Sequence, residues 1–197
     1  MAGICIAIAG FGYLAVGGIF GAIVFAFGLI AVVSYGLKLY TGTAGFVETL
    51  DGGFYELFII LIGNIIGCML VALLSRTSPL GINDAAQKLL EARLANGWWK
   101  CGLLSIGCGF IMTTAVNFAR KGQWLPLLFG VPMFIVCGFP HSIADAFYYL
   151  AAPPAFLEAN KVSVFVLYIS LVIGNFVGCN LYRVFIGKSK SQPSVLS

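Results

Sequence analysis

The sequence contains a single histidine, His141. It follows Gly138-Phe139-Pro140, a triplet that interrupts a helix, and Asp145 stands one helical turn further on. An ionisable ring at a break in an otherwise apolar segment can hold a proton or donate a hydrogen bond to an anion. The half-helix that starts there adds the partial positive charge of its free N–H groups. The plainer reading is a neutral imidazole bonded to nearby backbone. A second interruption, at Leu39-Tyr40-Thr41-Gly42-Thr43, offers two hydroxyls that can cap a helix or line a passage. Asn64 and Asn175 occupy matching segments, Gly63-Asn64-Ile65-Ile66-Gly67-Cys68 and Gly174-Asn175-Phe176-Val177-Gly178-Cys179. The shared G-N-x-x-G-C pattern fits close helix packing, and a buried Asn can bond across helices or face a pore.

Other chemistries find less support. His141-Ser142-Asp145 has the residue types of a hydrolase triad. Neighbouring helical residues point about 100° apart, so Ser142 is badly placed for His141 to activate it. The cysteines at 5, 68, 101, 108, 137 and 179 form no C-x-x-C pair. With one histidine to join them, no metal site is expected, and they read as small apolar residues. No cofactor and no enzymatic activity are expected.

Such residues need elements that bring them together, and the composition says which. Of 197 residues, 60% are hydrophobic and only 9% charged; the mean hydropathy is +1.02. Soluble domains carry about 25% charged residues, so a soluble fold, a disordered chain and a nucleic-acid module are excluded. Lipid must solvate most of the surface. There, only helices and closed barrels satisfy the backbone. The long continuous apolar runs select helices over the ~10-residue alternation of a barrel. An apolar stretch of about 20 residues crosses a bilayer, and the chain divides into six such spans: about 1–18, 19–39 running on to 46, 54–74, 98–118, 124–150 and 162–187. The second breaks near Thr41 and the fifth at 138–140. A polar stretch, 75–97, separates the third and fourth spans. Within it Asn83 is expected to cap an amphipathic helix over 84–94. The expected fold is all-α, one channel domain over 1–187 with a frayed polar tail, 188–197. Matched breaks and the repeated G-N-x-x-G-C imply two three-span halves. Halves with an odd number of spans lie inverted about an axis in the membrane plane, with a site at the midplane. No cleavable signal peptide is expected, because no basic side chain precedes the first apolar run.

Phe25 in the second span and Phe134 in the fifth can form an apolar gate on one side of that site, with Leu39 and Tyr40 on the other. Ordinary packing is the competing reading for all four. The net charge of +4 is best read as topology and lipid contact. Arg120, Lys121, Arg183, Lys188 and Lys190 would face one side, and Arg76, Lys88, Arg93, Lys100 and Lys161 the other, so positive-inside counting does not orient the chain.

Two segments resemble the formate/nitrite transporter family. Leu39-Tyr40-Thr41-Gly42-Thr43 is similar to the family's L-F-T-x-T loop, and Gly138-Phe139-Pro140-His141-Ser142-Ile143-Ala144-Asp145 to its G-F-E-H-S-I-A-N stretch. The resemblance runs over all six spans. It implies an aquaporin-like pore in each protomer of a homopentamer, in a bacterial inner or plasma membrane with both termini cytoplasmic. It implies passage of small monovalent weak-acid anions such as formate, nitrite or hydrosulfide. His141 takes the place of the family's central His, and Thr41 that of its loop Thr. Leu39 and Tyr40 stand for the inner constriction, and Phe25 and Phe134 for the outer. A vestibule Lys of the family aligns best with Arg93, with Lys88 and Lys100 nearby. The chain departs from the pattern at Pro140 (Glu in the family), Asp145 (Asn) and Gly109 (Asn), which suggests a divergent branch, closer to hydrosulfide channels. The alternative, an aquaporin-like channel for neutral solutes, would typically carry paired N-P-A loops, and the sequence has none.

Overall fold

The computed structural model describes residues 1–186; the expected tail, with Lys188 and Lys190, lies outside the described residues, as does the side chain of Arg183. The described residues form helices and no strand: α1 (Ala2–Val16), α2 (Gly18–Ser34), α3 (Tyr40–Thr43), a 3₁₀ segment (Ala44–Thr49), α4 (Gly53–Ser75), α5 (Ile82–Asn96), α6 (Trp98–Arg120), α7 (Leu125–Val136), α8 (Ser142–Ala151) and α9 (Pro154–Ile186).

Among the described residues, three helices are long and apolar enough to cross a bilayer: α4, α6 and α9 over 154–182. The apolar helices α1, α2 and α7 are shorter. The 12 residues of α7 and the 10 of α8 span about 18 and 15 Å at 1.5 Å per residue. Neither crosses a ~30 Å core alone, whereas the two in series would. The outer surface is apolar: Phe20, Phe27, Phe54, Phe129 and Phe165 are all more than 60% exposed. In contrast, α3 is buried at every residue and α8 at all but one. These two short helices are the interior of the molecule, and the long helices wrap them.

Glycines set the closest helix contacts. A Cβ at Gly67 would stand 2.8 Å from the Ile4 nitrogen on α1, and one at Gly178 would stand 2.0 Å from the Ile106 carbonyl oxygen on α6. The second glycine of each G-N-x-x-G-C therefore seats its helix on a neighbour. Gly63 meets nothing within 4 Å and has no such role.

Two local expectations need correction. Asn83 does not cap α5. The cap position is Gly81, at φ 63°, and the helix starts at Ile82. Asn83 lies inside the helix, where its amide donates to the Ala151 carbonyl at 2.6 Å and the Ser75 hydroxyl at 3.2 Å, tying α5 to the ends of α8 and α4. The last helix begins at Pro154 rather than 162. Proline is favoured at a first helical position, where no N–H is needed, and the polar turn that follows is held by the Glu158–Lys161 ion pair at 2.5 Å.

Candidate functional site

The two buried short helices meet at their N-terminal ends. α7 ends at Val136, the chain turns through Gly138 at φ 69°, and His141 takes the cap position of α8 with extended backbone. Capping is reciprocal. The His141 Nδ1 accepts from the Ala144 N–H at 3.1 Å, and Asp145 Oδ2 accepts from the His141 N–H at 3.0 Å. This fixes the tautomer. A nitrogen that accepts a backbone N–H carries no proton, so the ring hydrogen of the neutral imidazole sits on Nε2. The Nε2 lies 2.8 Å from Thr41 Oγ1, to which it donates. The Thr41 hydroxyl hydrogen is left for another acceptor. Thr41 is fully buried and His141 is 1% exposed.

Each break is held by an asparagine in the same way. Asn64 Oδ1 accepts from the Tyr40 N–H at 2.9 Å and its Nδ2 donates to the Lys38 carbonyl at 3.2 Å. Asn175 Oδ1 accepts from the Ser142 N–H at 2.7 Å, and its Nδ2 donates to the Pro140 carbonyl at 3.0 Å and the Ser105 carbonyl at 2.7 Å. In both, one amide bridges the N–H of a half-helix's first residue and the carbonyl two residues before it. Free backbone groups at a break, which lipid could not satisfy, are thereby paired. Thiols add a second clamp. Cys68, from the first repeat, donates to the Ile143 carbonyl at 3.3 Å, and Cys179, from the second, donates to the Thr41 carbonyl at 3.2 Å. Sequence reasoning missed this role. The available signal was the placing of each Cys four residues after its Asn, on the same helix face.

Aromatic rings close one side. Phe134 stacks on His141 with centroids 5.6 Å apart and meets Phe25 edge-on at 5.9 Å. Leu39 and Tyr40 lie directly before Thr41, both buried, and the Tyr40 hydroxyl donates to the Val172 carbonyl at 3.1 Å. Around the imidazole the interior is therefore closely enclosed and mainly apolar. Beyond Leu39 a cavity of about 260 Å³ is lined by Lys38, Thr43, Asp51, Glu56 and Arg120 among others; in it Lys38 is ion-paired to Glu56.

On the α5 side, Arg93 is engaged rather than free. Its Nε donates to Asp145 Oδ1 at 3.2 Å and its Nη1 to the Gly138 carbonyl at 2.7 Å. The ten residues singled out from the sequence thus sit around the two breaks. The Ser142 hydroxyl is buried without a hydrogen-bond partner, and the imidazole nitrogens bond to Ala144 and Thr41 instead. A Cβ at Gly109 would stand 2.2 Å from the Asn175 carbonyl oxygen. The departure to glycine there belongs to the close approach of α6 and α9. Among the described residues, no group of three or more His, Cys, Asp or Glu side chains is placed to hold a metal ion.

A family model described as "Formate/nitrite transporter" matches residues 1–186. Among solved structures, "Pentameric formate channel with formate bound" superposes with a TM-score of 0.73 at 21% identity, covering 94% of this chain and 91% of that one. "FNT family ion channel" gives 0.70 at 18% identity, covering 92% and 84%. At these identities the likeness is one of fold. No curated protein matches the sequence significantly.

Proposed function

The chain belongs to the formate/nitrite transporter family, an integral membrane channel or transporter family, and on that premise we propose that it passes small monovalent weak-acid anions through a pore centred on His141 and Thr41. The observation that carries this reading is the 2.8 Å contact between those two side chains, buried at the meeting point of two half-helices. The matched clamps by Asn64 and Asn175, crossed by Cys68 and Cys179, support six spans in an inverted repeat, with the second and fifth spans broken. The similar formate channel is pentameric, which supports a homopentamer here; placing both termini on the cytoplasmic side rests on the family resemblance alone.

Physical chemistry favours transit of the uncharged acid. Moving a bare anion into a medium as apolar as the Phe25–Phe134 collar costs of order 20 kcal/mol in the ideal limit, and several after relaxation. Protonating a carboxylate of pKa about 4 at pH 7 costs about 4 kcal/mol, at 1.36 kcal/mol per unit. The solute enters the collar as its acid. The tautomer set by Ala144 makes His141 a hydrogen-bond donor, not the proton source: losing the Nε2 hydrogen would leave an anionic ring. Water in the vestibule supplies the proton. The Nε2–H and the Thr41 hydroxyl then stabilise negative charge on the solute wherever the proton is off at the centre.

Uptake of formate, nitrite and hydrosulfide into proteoliposomes at two pH values, with wild type and His141→Phe, tests the reading. We expect uptake of at least one of these solutes to rise as pH falls, and His141→Phe to change it while the assembly stays intact. Unchanged uptake and pH profile in the variant would remove His141 from the mechanism. Passage of neutral solutes alone would favour an aquaporin-like channel.

A further inference from the structure

We propose that Arg93 and Asp145 form a vestibule site that binds a proton and an anion together, so that loading of the channel is coupled to protonation of Asp145 rather than of His141; this rests on the channel reading above. The two side chains differ in exposure. The Asp145 side chain is 1% exposed and that of Arg93 is 18% exposed. Arg93 thus reaches from the protein surface into the interior and meets the carboxylate there. It also spans the break, because its Nη1 holds the Gly138 carbonyl. A guanidinium has five N–H donors, and these two contacts leave others for a ligand.

While Asp145 is ionised, the pair is neutral. An anion arriving at Arg93 then stands beside a buried carboxylate and adds an uncompensated negative charge. When Asp145 takes a proton from vestibule water, the guanidinium is released from its partner and its charge passes to the anion. The sum of charges at the site is the same before and after, since one proton and one monovalent anion have entered. The oxygen that accepts from the His141 N–H can keep that bond with the proton on its companion, so the cap of α8 survives the change.

Among the described residues, Arg93, from α5, is the one charged side chain in an ion pair with Asp145. The titratable groups electrostatically coupled to Asp145 are Cys101 and Cys108 from α6, Tyr148 and Tyr149 from α8 and Tyr168 from α9. Thiols and phenols are neutral through the physiological range. The His141 ring is held neutral by the Ala144 N–H on its Nδ1. Asp145 is therefore the group at this site whose charge can change as an anion binds.

Asp145→Asn is the test, because asparagine mimics the protonated carboxyl and keeps an acceptor for the His141 N–H. Formate uptake by wild-type and variant proteoliposomes is measured from about pH 5 to about pH 8, and the ratio of apparent KM values, wild type over variant, is plotted; the protonation of formate itself cancels in it. Coupling predicts a ratio that climbs with pH, by up to about tenfold per unit where one proton is linked. A ratio that stays constant across the range overturns the proposal. Should Asp145→Asn not assemble, Arg93→Gln provides the converse. Its KM over that of wild type must fall as pH rises, and a flat ratio again overturns the coupling. Absence of wild-type uptake at every pH refutes the channel reading instead.

Discussion

Replacing Asn175 with Leu removes the clamp on the second break while keeping the number and branching of the side-chain heavy atoms. Three hydrogen bonds of 2.7, 2.7 and 3.0 Å are lost at a fully buried position. Leaving the Ser142 N–H unpaired costs roughly 1–3 kcal/mol, and the Pro140 carbonyl loses a partner as well, so a destabilisation of about 3 kcal/mol is expected. For a chain of this length that corresponds to a fall in Tm of about 6–12 °C. Asn64→Leu breaks only two bonds, at 2.9 and 3.2 Å, and should cost about 2 kcal/mol. Asn175→Asp separates clamping from bulk. It keeps an acceptor for Ser142 but turns an oxygen towards the Ser105 and Pro140 carbonyls, and should be the worst of the three. Thermal unfolding of the detergent-solubilised assembly, paired with formate uptake, reads both consequences. If Asn175→Leu unfolds at the wild-type temperature and conducts normally, asparagine does not hold the half-helix and the argument from backbone satisfaction fails.

Phe134→Ala removes the ring stacked on His141 and the edge contact to Phe25. It should destabilise by about 3–5 kcal/mol and raise uptake while admitting larger carboxylates; unchanged size selectivity in a panel of acids would show that Phe134 is not a collar. Gly109→Asn, which places a side chain where the structure leaves 2.2 Å to the Asn175 carbonyl oxygen, should prevent recovery of folded protein by size-exclusion chromatography. Recovery of a wild-type elution profile would mean that α6 and α9 do not approach this closely.

What could be read from sequence was whatever local chemistry decides. Pro140 has no N–H and Gly138 tolerates φ > 0, so the break before His141 was visible in the residues themselves. The repeated asparagine of G-N-x-x-G-C marked both helices that hold the breaks. What was not visible depends on distant partners. Arg93 could be placed only by its alignment with a vestibule Lys, because the carboxylate it pairs with lies 52 residues on, in α8. Cys68 and Cys179 read as small apolar residues because the carbonyls they bond, at Ile143 and Thr41, belong to the other half of the chain. Asn83 looked like a cap because its type is favoured there, yet Gly81 turns the chain and Asn83 bridges to Ala151. The imidazole tautomer, which decides what His141 can do, follows only from the backbone geometry of α8.

Charge moved per formate taken up, recorded together in voltage-controlled proteoliposomes, tests the central claim most directly. If the solute passes the buried Phe25–Phe134 collar as its acid, uptake will be electroneutral at every imposed voltage. A current that grows in proportion to formate influx would contradict it, because a charged solute would then be crossing the apolar centre of the protein.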